Sequence, residues 1–69
     1  TMDEKERRKT IDKIEDLNQR RASLHHSLES LEEKRNEMPE KKYDKLKNKY
    51  AEKHHKIRDK IHELEMKLK

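Results

Sequence analysis

The sequence predicts an all-α fold, an antiparallel two-helix coiled-coil hairpin with its turn near residues 36–39. Three observations lead to this prediction. Charged residues make up 52% of the 69 residues and glycine is absent, a composition typical of long helices. Aliphatic residues recur in alternating steps of three and four. The only proline, Pro39, lies near the middle of the chain. We therefore expect one helical hairpin spanning residues 1–69, because the chain is too short for two domains.

The first helix is predicted over about residues 2–35. Thr1 and Glu4 have the spacing of a capping box at its start. Asn36 is predicted to end it, because asparagine tolerates the left-handed conformation that terminates many helices. Heptad positions a and d are occupied by Ile14, Arg21, Leu28 and Arg35, and by Leu17, Leu24, Leu31 and Met38, respectively. Three exposed ion pairs with the acidic residue first are also expected: Asp16–Arg20, Glu52–Lys56 and Glu63–Lys67.

The second helix is predicted over about residues 39–68. Proline suits a first helical position because it lacks the amide donor that would stay unpaired there. Met38, which precedes it, should be driven into an extended conformation.

Together the two helices present an apolar stripe that we call the seam. The seam comprises Ile14, Leu17, Leu24, Leu28, Leu31, Tyr43, Leu46, Tyr50, His54, Ile57, Ile61, Leu64 and Leu68.

Folding the chain back at Pro39 places one half of the seam on the other. Leu28 then faces Tyr50, and Leu17 faces Ile61. The alternative is one continuous helix in a parallel dimer. That arrangement would place Pro39 in a helix interior, at a cost of about 3 kcal/mol or more. The hairpin is favoured because the two halves of the seam match along their whole length.

Composition also limits the function. Only 26% of the residues are hydrophobic, which is too little to enclose a buried pocket, so we expect no enzyme activity and no cofactor. No apolar run has the roughly 18 residues of a membrane span. The absence of cysteine fits a reducing compartment and predicts an intracellular, cytoplasmic location. The small core and the Thr1–Met2 start lead us to expect a segment of a larger protein.

Two histidine pairs, His25–His26 and His54–His55, lie at the same level of the predicted hairpin. His25 and His54 are the candidate metal ligands. A structural zinc site needs four ligands at defined spacings, and no such spacing surrounds these pairs. We therefore expect no bound metal. His54 is interpreted as a polar seam residue that helps to set the register.

Positive charge is concentrated in the second half of the chain. Residues 1–38 carry 9 basic and 10 acidic side chains, whereas residues 39–69 carry 11 basic and 6 acidic ones. Basic side chains along one flank form what we call the basic ridge. The basic ridge comprises Arg20, Lys49, Lys53, Lys56, Lys60 and Lys67. Such a surface attracts anionic partners, although a solvated flank without a binding role is the simpler interpretation.

These features predict a non-catalytic coiled-coil module for protein–protein interaction or spacing. Its expected partner is a protein with an acidic surface or a second copy of the chain. The alternative is a hairpin that binds the phosphate backbone of RNA or DNA. That alternative is less favoured because the only aromatic rings, Tyr43 and Tyr50, lie in the seam and are not free to stack on bases. In size and spacing the chain resembles the antiparallel hairpins that bind Rho-family GTPases in some kinases and membrane-bending adaptors.

Overall fold

A computed structural model describes residues 2–69 and confirms the all-α helical hairpin. Helix α1 comprises Glu4–Glu33, a 3-10 turn comprises Arg35–Glu37, and helix α2 comprises Glu40–Leu68. The helices pack against each other as an antiparallel pair within a body of 52 × 15 × 12 Å. Within residues 2–69 there is no strand, and no helix is long and apolar enough to cross a membrane.

Helix α1 begins after Asp3, which is its N-cap. The Asp3 side chain has Oδ1 2.8 Å from the backbone nitrogen of Glu6 and accepts its hydrogen bond. This bond satisfies one of the amide donors that have no partner in the first turn. Glu4 and Glu6 add negative charge at the positive end of the helix dipole. The predicted capping box depends on Thr1, which lies outside the described residues.

The turn between the helices differs from the prediction at Asn36. No described residue has a positive φ, so the expected left-handed residue at Asn36 is wrong. Instead, the amide of Lys34 donates to the carbonyl groups of Ser30 and Leu31, both at 3.2 Å. The chain then tightens into the 3-10 turn, in which Glu37 donates to the Lys34 carbonyl at 2.9 Å. A 3-10 turn satisfies carbonyl groups at a helix end without left-handed geometry.

Helix α2 starts immediately after Pro39. Met38 is extended, with φ −133° and ψ 157°, as expected for a residue that precedes proline. Pro39 is the N-cap of α2 rather than its first helical residue, and its carbonyl accepts the first bond from Tyr43 at 3.1 Å. The ring therefore stops helical geometry from passing through the turn, and the chain reverses direction.

Every seam residue is buried or half-buried in the structure. The most enclosed hydrophobic side chains are Leu24, Leu31, Tyr43, Ile61 and Leu64, each no more than 8% exposed. By contrast, Arg21 and Arg35, which were predicted at a positions, are exposed, and Arg35 lies in the 3-10 turn rather than in α1. Long cationic side chains at a positions reach solvent while their aliphatic stems border the seam.

Thr10 is buried although the sequence analysis did not include it in the seam. It lies seven residues before Leu17 and therefore continues the row of d positions. Its hydroxyl donates to the Glu6 carbonyl at 2.9 Å, and the Met2 sulfur lies 3.8 Å from the same oxygen. Because the hydroxyl bonds to its own helix, threonine occupies a buried position without an unsatisfied donor.

Leu31→Ala is expected to destabilise the hairpin by about 2–4 kcal/mol, because it removes a buried side chain close to the turn. The matched control is Met66→Ala, which removes an apolar side chain that is 50% exposed and should cost less than about 1 kcal/mol. Urea unfolding followed by circular dichroism measures both. Similar losses for the two variants would contradict the assignment of the seam.

Candidate functional site

All six side chains of the basic ridge are exposed, and three of them lie on one flank of the contact between the helices. Arg20 projects from α1, whereas the lysines project from α2. Arg20, Lys53 and Lys56 line one groove between the two helices. Lys67 lies away from them, beside Met2 and Glu6 at the open end of the hairpin. The structure therefore brings three of the six ridge residues together and places Lys67 at a separate location.

Half of the basic ridge has acidic neighbours on its own helix. Arg20 pairs with Asp16 at 3.1 Å and Lys56 with Glu52 at 3.5 Å, both as expected from the sequence. Glu63 pairs with Lys60 at 3.5 Å rather than with Lys67, so that predicted pair is wrong. A carboxylate has neighbours both three residues before it and four residues after it on a helix, and spacing alone does not choose between them.

The remaining ridge lysines are uncompensated. Lys49, Lys53 and Lys67 have no carboxylate oxygen within 4 Å among residues 2–69. Like charges on one exposed flank repel each other weakly, and salt screens the repulsion. An anion that binds there would relieve this repulsion. These three uncompensated lysines all lie on α2.

The opposite flank holds a cluster that crosses between the helices next to the turn. The Tyr43 hydroxyl donates a hydrogen bond to Glu32 Oε1. Lys47 Nζ donates to the Tyr43 oxygen at 3.1 Å and lies 3.4 Å from Glu32 Oε1. The guanidinium carbon of Arg35 lies 4.5 Å from the centre of the Tyr43 ring, a cation–π contact. Here Glu32 and Lys47 neutralise each other's charge within the chain.

This cluster shifts two pKa values. The hydrogen bond from Tyr43 lowers the pKa of Glu32 below its ordinary value of 4.5, and the charge of Lys47 acts in the same direction. Partial burial of the carboxylate opposes both effects. The hydrogen bond to Tyr43 raises the pKa of Lys47 above 10.5, supported by the negative charge of Glu32. All three side chains therefore favour the ionised carboxylate and the ionised amine.

Tyr43 was predicted in the seam, but its contacts with Glu32 and Lys47 were not predicted from the sequence. Glu32 and Lys47 carry opposite charges at nearly equal distances from the turn. In an antiparallel pair such residues lie across from each other. The predicted register was therefore sufficient to identify Glu32 and Lys47 as an ion pair between the helices.

The histidine candidates for a metal site lie on the same flank as this cluster. His25 and His54 line a shallow groove with His55 and Leu28. His25 Nε2 is 2.7 Å from Glu29 Oε1, and His55 Nδ1 is 3.4 Å from the Arg58 guanidinium. Within residues 2–69 there is no cluster of three or more His, Cys, Asp or Glu side chains arranged to hold a metal ion. The candidates thus share a groove without converging on one point.

No protein-family model, no curated protein and no solved structure matches this chain.

Tyr43→Phe is expected to raise the pKa of Glu32 toward its ordinary value, because the variant keeps the ring and removes only the hydrogen-bond donor. Titration by NMR measures this shift. Tyr50→Phe is the matched control, and it should leave the Glu32 titration unchanged. An unchanged Glu32 pKa in Tyr43→Phe would show that the hydroxyl does not hold the carboxylate.

The same shift predicts how stability depends on pH. Since the folded pKa of Glu32 is depressed, its contribution is present above the unfolded value near 4.5 and declines as pH falls through the folded pKa. For Lys47 the folded pKa is raised, so its contribution is complete below 10.5 and is lost at higher pH. Glu32→Gln should therefore reduce the loss of stability in acid, measured by urea unfolding at pH 7 and pH 3.

Proposed function

We propose that the hairpin is a non-catalytic module for protein–protein interaction or spacing, which presents the basic ridge to an acidic protein surface. The observation that carries this proposal is the contrast between the two flanks. On the flank that contains Tyr43, a carboxylate, a hydroxyl and an amine satisfy one another across the helices. On the ridge, Lys49, Lys53 and Lys67 have no such partners within the described chain.

The shape of the molecule supports the same function. The hairpin is 52 Å long and only 12–15 Å wide, so most of its side chains face solvent. Most of its large apolar residues are used in the contact between the helices, and only Ile11 and Met66 are exposed among those described. Such a body offers long surfaces for contact and a fixed separation between its two ends. These are useful properties in an interaction or spacer module.

A phosphate backbone is the competing partner for the basic ridge. Sequence-tolerant binding to single strands commonly adds stacking of bases on exposed aromatic rings. The Tyr43 ring is 3% exposed and Tyr50 is half-buried, so neither offers a free face. This burial favours a protein partner over a nucleic acid.

Charge reversal tests the proposal. The double variant Lys53→Glu, Lys60→Glu should weaken capture of acidic partner proteins by about tenfold or more while helicity is retained. The control Lys41→Glu, Lys45→Glu makes the same change in net charge at exposed residues of α2 outside the ridge. It should have much less effect. Quantitative affinity isolation from lysate, with the same bait concentrations, measures all three proteins.

Equal capture by both double variants would contradict a binding role for the ridge. Binding of unrelated DNA duplexes with an affinity that falls steeply with salt, and is abolished by the ridge variant, would favour the nucleic-acid alternative.

A further inference from the structure

A single groove runs between α1 and α2 on the flank of the basic ridge. It has two sections, of about 470 Å³ and 330 Å³, which meet at Ser27 and Tyr50. One section extends to Arg20, and the other extends to Lys34 and Met38 near the turn. We call this feature the serine groove, because all three serines of the chain, Ser23, Ser27 and Ser30, line it.

The floor of the serine groove is largely apolar. It is formed by the outer edges of seam residues, with one further residue from the turn: Leu24, Leu31, Tyr50, Ile57, Leu46 and Met38. Tyr50, Ile57, Leu46 and Met38 are only half-buried within the hairpin. The packing of the two helices therefore leaves apolar surface that a third element can cover.

The serines keep the groove open and suit it to apolar contact. Their short side chains lie in α1 where longer ones would fill the space above the seam. Ser27 is half-buried, and its hydroxyl donates to the Ser23 carbonyl at 3.3 Å. Because this donor has a partner within its own helix, covering Ser27 with an apolar side chain leaves no unsatisfied donor behind.

Every charged residue that lines the serine groove is basic. These residues are Arg20, Lys34, Lys42, Lys53 and Lys56. Only Arg20 and Lys56 have a carboxylate within 4 Å in the described chain, and each pairs with an exposed neighbour on its own helix. The groove thus combines an apolar floor with two positively charged walls. Its complement is an apolar stripe flanked on both sides by carboxylates.

We propose that the serine groove is the docking site for an acidic amphipathic helix of a partner protein, which completes a three-helix bundle. This proposal rests on the proposed interaction function and identifies the chemistry of its partner. The groove extends from Arg20 in α1 to Lys34, the C-cap of that helix, a rise of about 21 Å at 1.5 Å per residue. The docked segment is therefore about 14 residues long. Its apolar residues are spaced by three and four.

Two other occupants fit the groove less well. A second copy of the chain related by a two-fold axis would bring the same basic walls against each other. A phosphate backbone would satisfy the lysines but leave the apolar floor uncovered, since phosphates contribute no apolar surface. Only an amphipathic anionic helix matches both the walls and the floor.

The test uses a synthetic 14-residue peptide with leucines spaced by three and four and glutamates at the flanking positions. A scrambled peptide of identical composition keeps the charge and removes the apolar stripe. Fluorescence anisotropy measures binding of both to the full chain. The designed peptide should bind about tenfold or more tightly than the scrambled one and should gain helicity on binding.

Blocking the groove should remove this preference. Ser27→Phe fills the floor where the two sections meet and should weaken binding of the designed peptide about tenfold. Ala22→Phe, at an exposed position that lines neither section, is the matched control and should change affinity less than twofold. If Ser27→Phe loses helicity, the exposed Ser30→Phe provides a second blocking variant.

Four results would overturn the docking site. Equal affinity for the two peptides would show that charge alone attracts them, and the interaction function would remain. Unaltered affinity in both blocking variants would place the peptide elsewhere. Absence of binding by either peptide would exclude the groove, whereas the interaction function is decided separately by the Lys53 and Lys60 variants. Preference for a DNA duplex over the designed peptide would assign the flank to nucleic acid.

Discussion

Burial of one apolar stripe against another is the constraint on which this hairpin depends. Each helix has a single narrow row of apolar residues, and the other helix is its only cover within the chain. Leu31 and Tyr43 lie near the turn, and Ile61 and Leu64 extend the same contact toward the open end. Proline makes this contact intramolecular, because Pro39 and the extended Met38 stop α1 from continuing into α2.

A two-helix body leaves much of its apolar edge uncovered, and the charges determine what can cover it. On one flank, the Glu32–Tyr43–Lys47 cluster links the helices and neutralises its own charge. On the other flank, small serines replace long side chains, and the surrounding charges are all basic. The same packing therefore yields one flank on which side chains bond across the helices and one on which an apolar edge lies among basic side chains, where we propose that an acidic partner docks.

Much of this architecture could be predicted from the sequence, because helical periodicity and a single proline act locally. The spacing of Leu24 and Leu31 identified the buried face, and Pro39 located the reversal. The details that sequence reasoning missed depend on the relative position of the two helices. The 3-10 turn that contains Asn36 is one of several backbone conformations that satisfy the last carbonyl groups of α1. Residue type alone does not select among them.

Prediction of the candidate site was limited in the same way, because it also depends on how the two helices pack. The basic ridge was predicted from composition and register, but the structure groups only Lys53 and Lys56 with Arg20 along one groove. Thr10 was missed because it is polar, although its position continues the row of d residues. Nothing in the sequence indicated that the serines line a groove. The groove above them forms only when α2 packs beside α1.

The central claim is that the two halves of the seam pack within one chain. Electron spin resonance between labels at the exposed positions Asn18 and Asp59, in labelled chains diluted with unlabelled ones, tests it most directly. The hairpin predicts a distance below about 25 Å, since packed helix axes lie about 8–10 Å apart. A continuous helix would separate the labels by roughly 60 Å at 1.5 Å per residue. That distance, or a short distance that disappears on dilution, would contradict the account.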